Sequence, residues 1–600
     1  MTPWGFLPLF LRQDARAIRK RADNEDRQEN FVKSAALWRV LAERGDPEAC
    51  HVLAERYEIG RGVIQNVVEA TRWFHKAADG GLVLAQAKLG DIYFHGRSAP
   101  ASVSPEGTVS EEDGSVKAAG LLGRLFPAGL SVPQDYSEAA KWNLLAAEAG
   151  DTHSQLRRAY QCASGLGVDK DYAEAKRWFA AAAEKGHDGG AFGLGILYGG
   201  GHVGEVDLGE AVSWLQRAAD GGNSGALLSL GTLYWRGEGV AKDDQRAADL
   251  IARAADGGNL EAMYMRGQFY RSGVGVPADF AAAETWLKRA AARGHVKAMV
   301  SAGGLLIERP PSDPASASIY FRQAADLGDA EAQFALGHLY LSGRGVPYDP
   351  GAAAQWFQRA ADQGMAAAYE RLGAMHSDGI GVPQDYEAAA DWFYPAAGSG
   401  NPAAQYHLGL ILEAGLGVRQ DFDAAETWFQ KAAAGGNAEA CVKLGSIHAQ
   451  RRPPDYAVAC EWFEKGAALG SLDAAYDLGL LHIQGLAILC DQAKGVRMLE
   501  DAADKGNQRA AWTLHHLFAE GNVVEADLAV AQHWLVQAAV AGSGDAICKL
   551  AAQLEADDPS AQPSEQVMGL LLQAAEAGHR AAQDHLSRLG VEPGQKASPT

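Results

Sequence analysis

Cysteine is scarce in this chain and scattered: Cys50, Cys162, Cys441, Cys460, Cys490 and Cys548 keep no common period, and no CxxC occurs. A disulfide ladder or a zinc site needs regular thiol spacing, so neither is implied and a reducing compartment is. Long apolar runs are missing too; none approaches the roughly 18 residues that a membrane-crossing helix requires. The opening MTPWGFLPLFLRQDARAIRKR places its apolar run before its charges, the reverse of a secretory signal, so a cytoplasmic location is expected. Basic residues are in deficit, 54 Lys and Arg against 75 Asp and Glu, for a formal net charge of −21. Phosphate neutralisation needs clustered cations, so no nucleic-acid partner is expected.

Catalytic signatures are equally absent: there is no P-loop, HExxH or GxSxG. GGGHVG, Gly199 to Gly204, spells GxGxxG, but no strand leads into it and the same loop recurs in every unit, so the dinucleotide reading fails. His515 and His516 are adjacent and project from one helix in different directions, a poor chelate, while His376, His448 and His482 stand where other units carry Tyr. The chain is therefore read as no enzyme, with no catalytic residue, metal or cofactor.

What the chain has is a ruler. Trp142, Trp178 and Trp214 recur on a 36-residue step, as do Trp356, Trp392 and Trp428, and the slot runs from Trp38 through Trp73, Leu250, Trp286, Tyr320, Trp462, Met498 and Trp534 to Leu570. The first step, from Trp38, is 35, two are 34 and one is 69. A fixed period is the mark of a solenoid, whose units bury apolar faces only against their neighbours.

One unit, from Gly364 to Gly400, reads as two helices. Helix A has small or apolar residues at Ala368, Leu372 and Gly373, and Gly379 and Gly381 stop it. Helix B opens at Asp385; Asp stands seven residues before the slot at twelve successive units, from Asp135 to Asp527, where its carboxylate can accept from free backbone N–H groups. Ala follows the slot by four residues in all but one unit (Gly466), and Gly by eight in all but the first. The slot is read as the buried centre of helix B, so Trp286→Ala should cost about 3–5 kcal/mol.

LGHLYLSGRGVPYDPGAAAQWFQRAADQG, Leu336 to Gly364, resembles the Sel-1-like repeat, a relative of the tetratricopeptide repeat with a longer inter-helix loop, and the likeness covers residues 46 to 590. The resemblance implies an all-α fold, a right-handed α/α superhelical solenoid of about 14 helix-turn-helix repeats, acting as an adaptor that holds other proteins together, often in bacterial signalling or envelope processes.

The regions then fall into register: capping helices over 1–45, the repeats over 46–578, a closing helix over 579–590 and a loose tail over 591–600. Within the array, 97–132 is a polar insertion ending in the apolar VKAAGLLGRLF, a disordered segment, a lid or a flap. ERPPSDP and QRRPPD replace the GxGV loop, so bends are expected near 310 and 452.

On helix A the residues 12, 16 and 20 past the slot face helix B, and those at 11, 14, 18 and 21 face away. Aromatics stand among the outward set: Phe192, Tyr264, Phe334, Tyr406, Tyr476 and Trp512 at 14, Phe94 and Trp235 at 21. By resemblance these line the concave groove and anchor a protein or peptide partner, with packing between repeats as the alternative. Two functions compete: a non-enzymatic protein–protein interaction scaffold, or a membrane-peripheral component of a bacterial envelope, exopolysaccharide or secretion assembly. In the second, residues 1–21 touch lipid through Trp4, Phe6, Leu7 and Phe10.

Overall fold

The computed structural model describes residues 14–98, 131–486, 491–557, 568–569, 571–572, 575 and 580–588. The readings of a membrane-facing N-terminal stretch (Trp4 to Phe10), of most of the 97–132 insertion and of a loose tail fall outside these residues. Thirty α-helices occur among the described residues, in two compact units, Met1–Leu305 and Leu306–Thr600. Each is an all-α array of antiparallel helix pairs joined in the order B, A, B, A. Unit 1 opens with Ala15–Arg27 and Phe31–Glu43. Where the insertion leaves and rejoins, β1 (Arg97–Ser98) pairs antiparallel with β2 (Ser131–Val132).

Local chemistry fixes the helix ends. All twelve Asp residues from Asp135 to Asp527 are N-caps whose side chains accept from a backbone N–H two or three residues on. Many helices A are capped in the same way, by Asp151, Asn223, Asn259, Asp329, Asn401, Asn437, Ser471 and Asn507. Gly379, at φ 70°, closes Ala366–Asp378 in the left-handed conformation that glycine adopts without strain. Gly381 answers a second demand: a β-carbon there would lie 2.3 Å from the Pro350 carbonyl oxygen, so this loop rests on the start of the preceding helix B, as do those of Gly167, Gly275 and Gly345.

The core is centred one residue beyond the tryptophan slot, which refines the reading of the slot as the buried centre: at the slot Trp73, Trp178, Leu250, Trp356 and Trp534 are buried, at 3–8% exposure. Phe74, Ile251, Leu287, Phe357, Phe393, Phe429, Leu499 and Leu535 are each 0% exposed, whereas Trp142, Trp214, Trp286, Trp392, Trp428 and Trp462 are only half-buried. The following residue points at a glycine of a helix A: a β-carbon on Gly337, Gly373, Gly409 or Gly445 would come within 2.6, 2.7, 2.6 or 2.5 Å of the rings of Phe357, Phe393, Phe429 and Phe463. Gly195 and Gly267 make the same room, 2.7 Å from Leu215 and Leu287. The paired helices thus approach closely, with the ring filling the space a side chain would take.

The tryptophans seal the edge of that core, and a cation three residues on covers the ring: Lys76 on Trp73 at 3.9 Å, Arg289 on Trp286 and Arg359 on Trp356 at 4.3 Å, Lys431 on Trp428 at 3.9 Å. Arg217, over Trp214, also donates to the Ala183 carbonyl at 2.7 Å and so ties its helix to the end of the previous helix B. Gln86, Gln155, Gln333 and Gln405 donate to the carbonyls of Ala78, Ala147, Ala325 and Ala397 across the B-to-A turn.

The first unit of the ruler also shifts. Phe31–Glu43 begins six residues before Leu37, so Leu37 occupies the slot, Trp38 is its buried neighbour and the step to Trp73 is the standard 36, not 35. Trp38 Nε1 donates to Asp26 at 3.3 Å, and Asp26 also pairs with the buried Arg56. Burial pushes the Asp26 carboxyl up, but the bonds from Arg56, Ser34 and Trp38 outweigh it and hold the group below its ordinary value. This network docks Ala15–Arg27 on the first repeat.

Three substitutions rank these roles. Phe393→Ala should cost about 3–5 kcal/mol and Asp385→Ala about 1 kcal/mol in urea unfolding. Trp392→Ala, which removes a half-buried ring, should fall below Phe393→Ala; equal or reversed losses would return the core to the tryptophan.

Candidate protein-binding face

Once the slot-facing stripe of helix A is buried, its other side is presented at a fixed interval, helix A beside helix A. In unit 1 this side changes character along the chain. From Pro47–Ile59 to Thr152–Ser164 it carries charges already paired between successive helices: Glu58 with Lys88 at 3.0 Å, and Asp91 with Arg157 at 2.6 Å and Arg97 at 2.9 Å. From Asp188–Gly199 through Ser224–Arg236 to Leu260–Ser272 it becomes mainly apolar, and a groove of about 740 Å³ opens. Ile196, Leu228, Thr232, Trp235, Tyr264 and Met265 line it, with Arg236, Glu238 and Glu261 as the charged residues at its border.

Glycine makes the groove deep. Helix A Asp188–Gly199 reads DGGAFGLGILYG; the outward position that holds Phe94 and Trp235 in other repeats is Gly199, followed by Gly200. With no side chain there, Leu208, Ala211 and Leu215 of the next helix B reach the groove wall. Ile196 remains 44% exposed in a place where a solvated residue would be expected.

The eight sequence candidates divide. Trp235 and Tyr264 meet in the groove, and Phe192 lies in the same repeats with its ring 3.0 Å from where a β-carbon on Gly225 would be, so it closes the boundary between two helices A. Phe94 stands apart, edge-on to Tyr136 at 5.3 Å. In unit 2, Phe334 packs on His338 and Phe357 at 4.6 and 5.4 Å, and Tyr406 on His407 and Phe429 at 5.6 and 5.8 Å. Tyr476 is buried at 8% exposure, under the Arg509 guanidinium at 4.3 Å. Trp512 is half-buried against the His515 ring at 5.7 Å and Lys549 at 5.6 Å. These rings also pack within and between repeats. Ile196, Leu228 and Thr232 stand in the same outward register, where only aromatics were sought in the sequence; Met265, 15 residues past its slot, lies outside that register.

Titration on the unit 2 face follows burial. Desolvation pulls His338 below the ordinary imidazole range, with Arg371 adding to it; desolvation likewise lowers His407, against the carboxylates of Glu370, Asp378 and Glu439. Both present neutral rings at neutral pH. Burial raises Tyr406 and Asp477, the latter in spite of the Arg509 cation. Among the described residues, no three His, Cys, Asp or Glu side chains gather as metal ligands would.

A family model described as Sel1 repeat matches residues 47–82, 83–105, 116–151, 152–187, 190–223, 224–259, 260–295, 302–329, 330–365, 366–401, 402–437, 438–471, 472–507 and 511–543. Among solved structures, the chain is similar to a protective antigen of uropathogenic Escherichia coli with an SLR fold, at 27% identity over 77% of this chain and 99% of that one, TM-score 0.62. It is also similar to a repeat protein of Oxalobacter formigenes, at 29% identity over 40% of this chain and 98% of that one, TM-score 0.37.

The two kinds of outward ring separate in a stability assay. Trp235→Ala and Tyr264→Ala should each shift unfolding of unit 1 by under about 2 kcal/mol, while Tyr476→Ala should cost unit 2 about 3 kcal/mol. A larger loss at Trp235 than at Tyr476 would mark the groove ring as a packing element.

Proposed function

Because the chain belongs to the Sel1 repeat family, we propose that it is a non-enzymatic scaffold that holds an apolar segment of a partner protein against the helix A face of unit 1. The groove over Asp188–Gly199, Ser224–Arg236 and Leu260–Ser272 carries this reading. It is a concave, mainly apolar surface with a few hydrogen-bonding side chains and two aromatic anchors, the composition that concentrates binding energy at an interface. The charged face that precedes it is satisfied by its own ion pairs and has less to gain from a partner.

Its binding energy would come from burying Ile196, Leu228, Trp235, Tyr264 and Met265, at about 25 cal/mol per Å² of apolar surface less the cost of ordering the partner. Specificity would come from Gln268 and Thr232 and from the border charges Glu238 and Glu261.

A photo-reactive residue at position 196 or 228 should cross-link one partner protein recurrently, and the same residue at position 536, on a helix B of unit 2, should not. Ile196→Asp with Met265→Asp should weaken capture of that partner by at least tenfold, about 1.4 kcal/mol. Undiminished capture by a double variant that melts normally would place the binding surface elsewhere.

A further inference from the structure

The layer formed by Val83–His95, Tyr136–Glu148 and Thr152–Ser164 departs from the core rule of the array at two facing positions. Elsewhere from Phe74 to Leu499, the residue after the slot and the residue 18 positions later, on the following helix A, are both apolar: Phe74 and Ile92, Phe179 and Leu197, Ile251 and Phe269, Phe393 and Ile411. Here they are Asn143 and Gln161, each 0% exposed. Asn143 Nδ2 donates to Gln161 Oε1 at 3.2 Å, and Asn143 Oδ1 and Gln161 Nε2 have no partner among the described residues. Exchanging the nitrogen and oxygen of both amides leaves the same number unmatched. Trp142 Nε1, Ser154 Oγ and Gln155 Oε1 are unmatched in the same layer, so five such buried atoms fall within twenty residues.

A buried amide lacking part of its hydrogen bonding is worse than an apolar residue of similar shape, and exposing it to water restores the missing bonds. Exposure of an apolar layer recovers nothing comparable. We propose that this layer is the opening point of unit 1, where Thr152–Ser164 separates reversibly from Tyr136–Glu148 while the repeats on either side stay folded. The side on which the helix remains is set by Arg158, whose Nε and Nη2 bond Glu174 at 3.0 and 2.8 Å and tie Thr152–Ser164 to the next helix B. The polar ties across the opening are weaker: the partly exposed Asp91–Arg157 pair and the Gln155 bond to the Ala147 carbonyl. Opening there changes the angle between residues 14–148 and the groove-bearing repeats without melting either.

Hydrogen exchange of the full chain, read by mass spectrometry, tests this. Amides in Tyr136–Glu148 and Thr152–Ser164 should exchange at least about tenfold faster than those of Tyr172–Glu184 and Asp188–Gly199. The double substitution Asn143→Leu with Gln161→Leu restores the apolar pair and should slow the first two helices to the rate of the second two. Uniform protection of all four helices in the unsubstituted chain would overturn the proposal, as would a folded double variant in which the difference persists.

Discussion

The contact between a glycine on helix A and the ring or branched side chain that faces it on helix B is what the array depends on. At Gly373 and Phe393, or Gly409 and Phe429, no β-carbon fits, so the paired helices lie closer than ordinary side chains permit. That approach fixes the rotation of both helices. Helix B then holds its tryptophan at the edge of the core, where Lys or Arg from the same helix covers it, and helix A turns its remaining side outward at every repeat. A glycine within a helix costs about 1 kcal/mol in propensity. Tight packing against a fully buried ring offsets that cost.

Function enters where glycine exceeds what packing requires. In Asp188–Gly199, Gly195 makes the standard contact with Leu215, whereas a β-carbon on Gly199 would meet only Ala211 at 3.5 Å, and one on Gly200 would lie 2.6 Å from the His202 ring of the following loop. Gly199 and Gly200 remove the side chains that would cover helix B and leave a depression bordered by Trp235 and Tyr264. The substitution that deepens the groove is therefore of the same kind as the one that builds the fold, placed one turn further along. Paired charges on the preceding repeats confine the apolar face to these three helices.

Regularity also makes departures informative. Asn143 and Gln161 differ from their counterparts together, which keeps one hydrogen bond between them where a single change would have left an amide facing a hydrocarbon. The Asp26, Trp38 and Arg56 network departs in another way, at the end of the array, where no further repeat covers the first helices. In both places a polar group stands where an interior repeat would have an apolar one, and in both some buried atoms are unmatched among the described residues, Asp26 Oδ1, Arg56 Nε and Arg56 Nη1 at the end of the array. There an ion pair holds the group, whereas Asn143 and Gln161 share a single neutral bond.

The linear sequence determined everything governed by neighbours in the chain: the 36-residue period, the Asp caps, the glycine stops and the alternation of two helices, because capping and chain reversal are settled within a few residues. It centred the core on the slot, buried at Trp178 and Trp356 but only half-buried at Trp286 and Trp428, and not on the residue that follows. Tryptophan recurs visibly, while the residue after the slot is Phe, Leu or Ile in most units and Asn143 in one, and adjacent residues on a helix both lie near its apolar face. Only the tertiary structure decided which of the two meets the opposing glycine, that Trp235 and Tyr264 share a groove with Ile196 and Met265, and that Tyr476 is covered. Those facts arise from helices brought side by side, as with Gly373 and Phe393 or Trp235 and Tyr264, at separations over which no local preference acts.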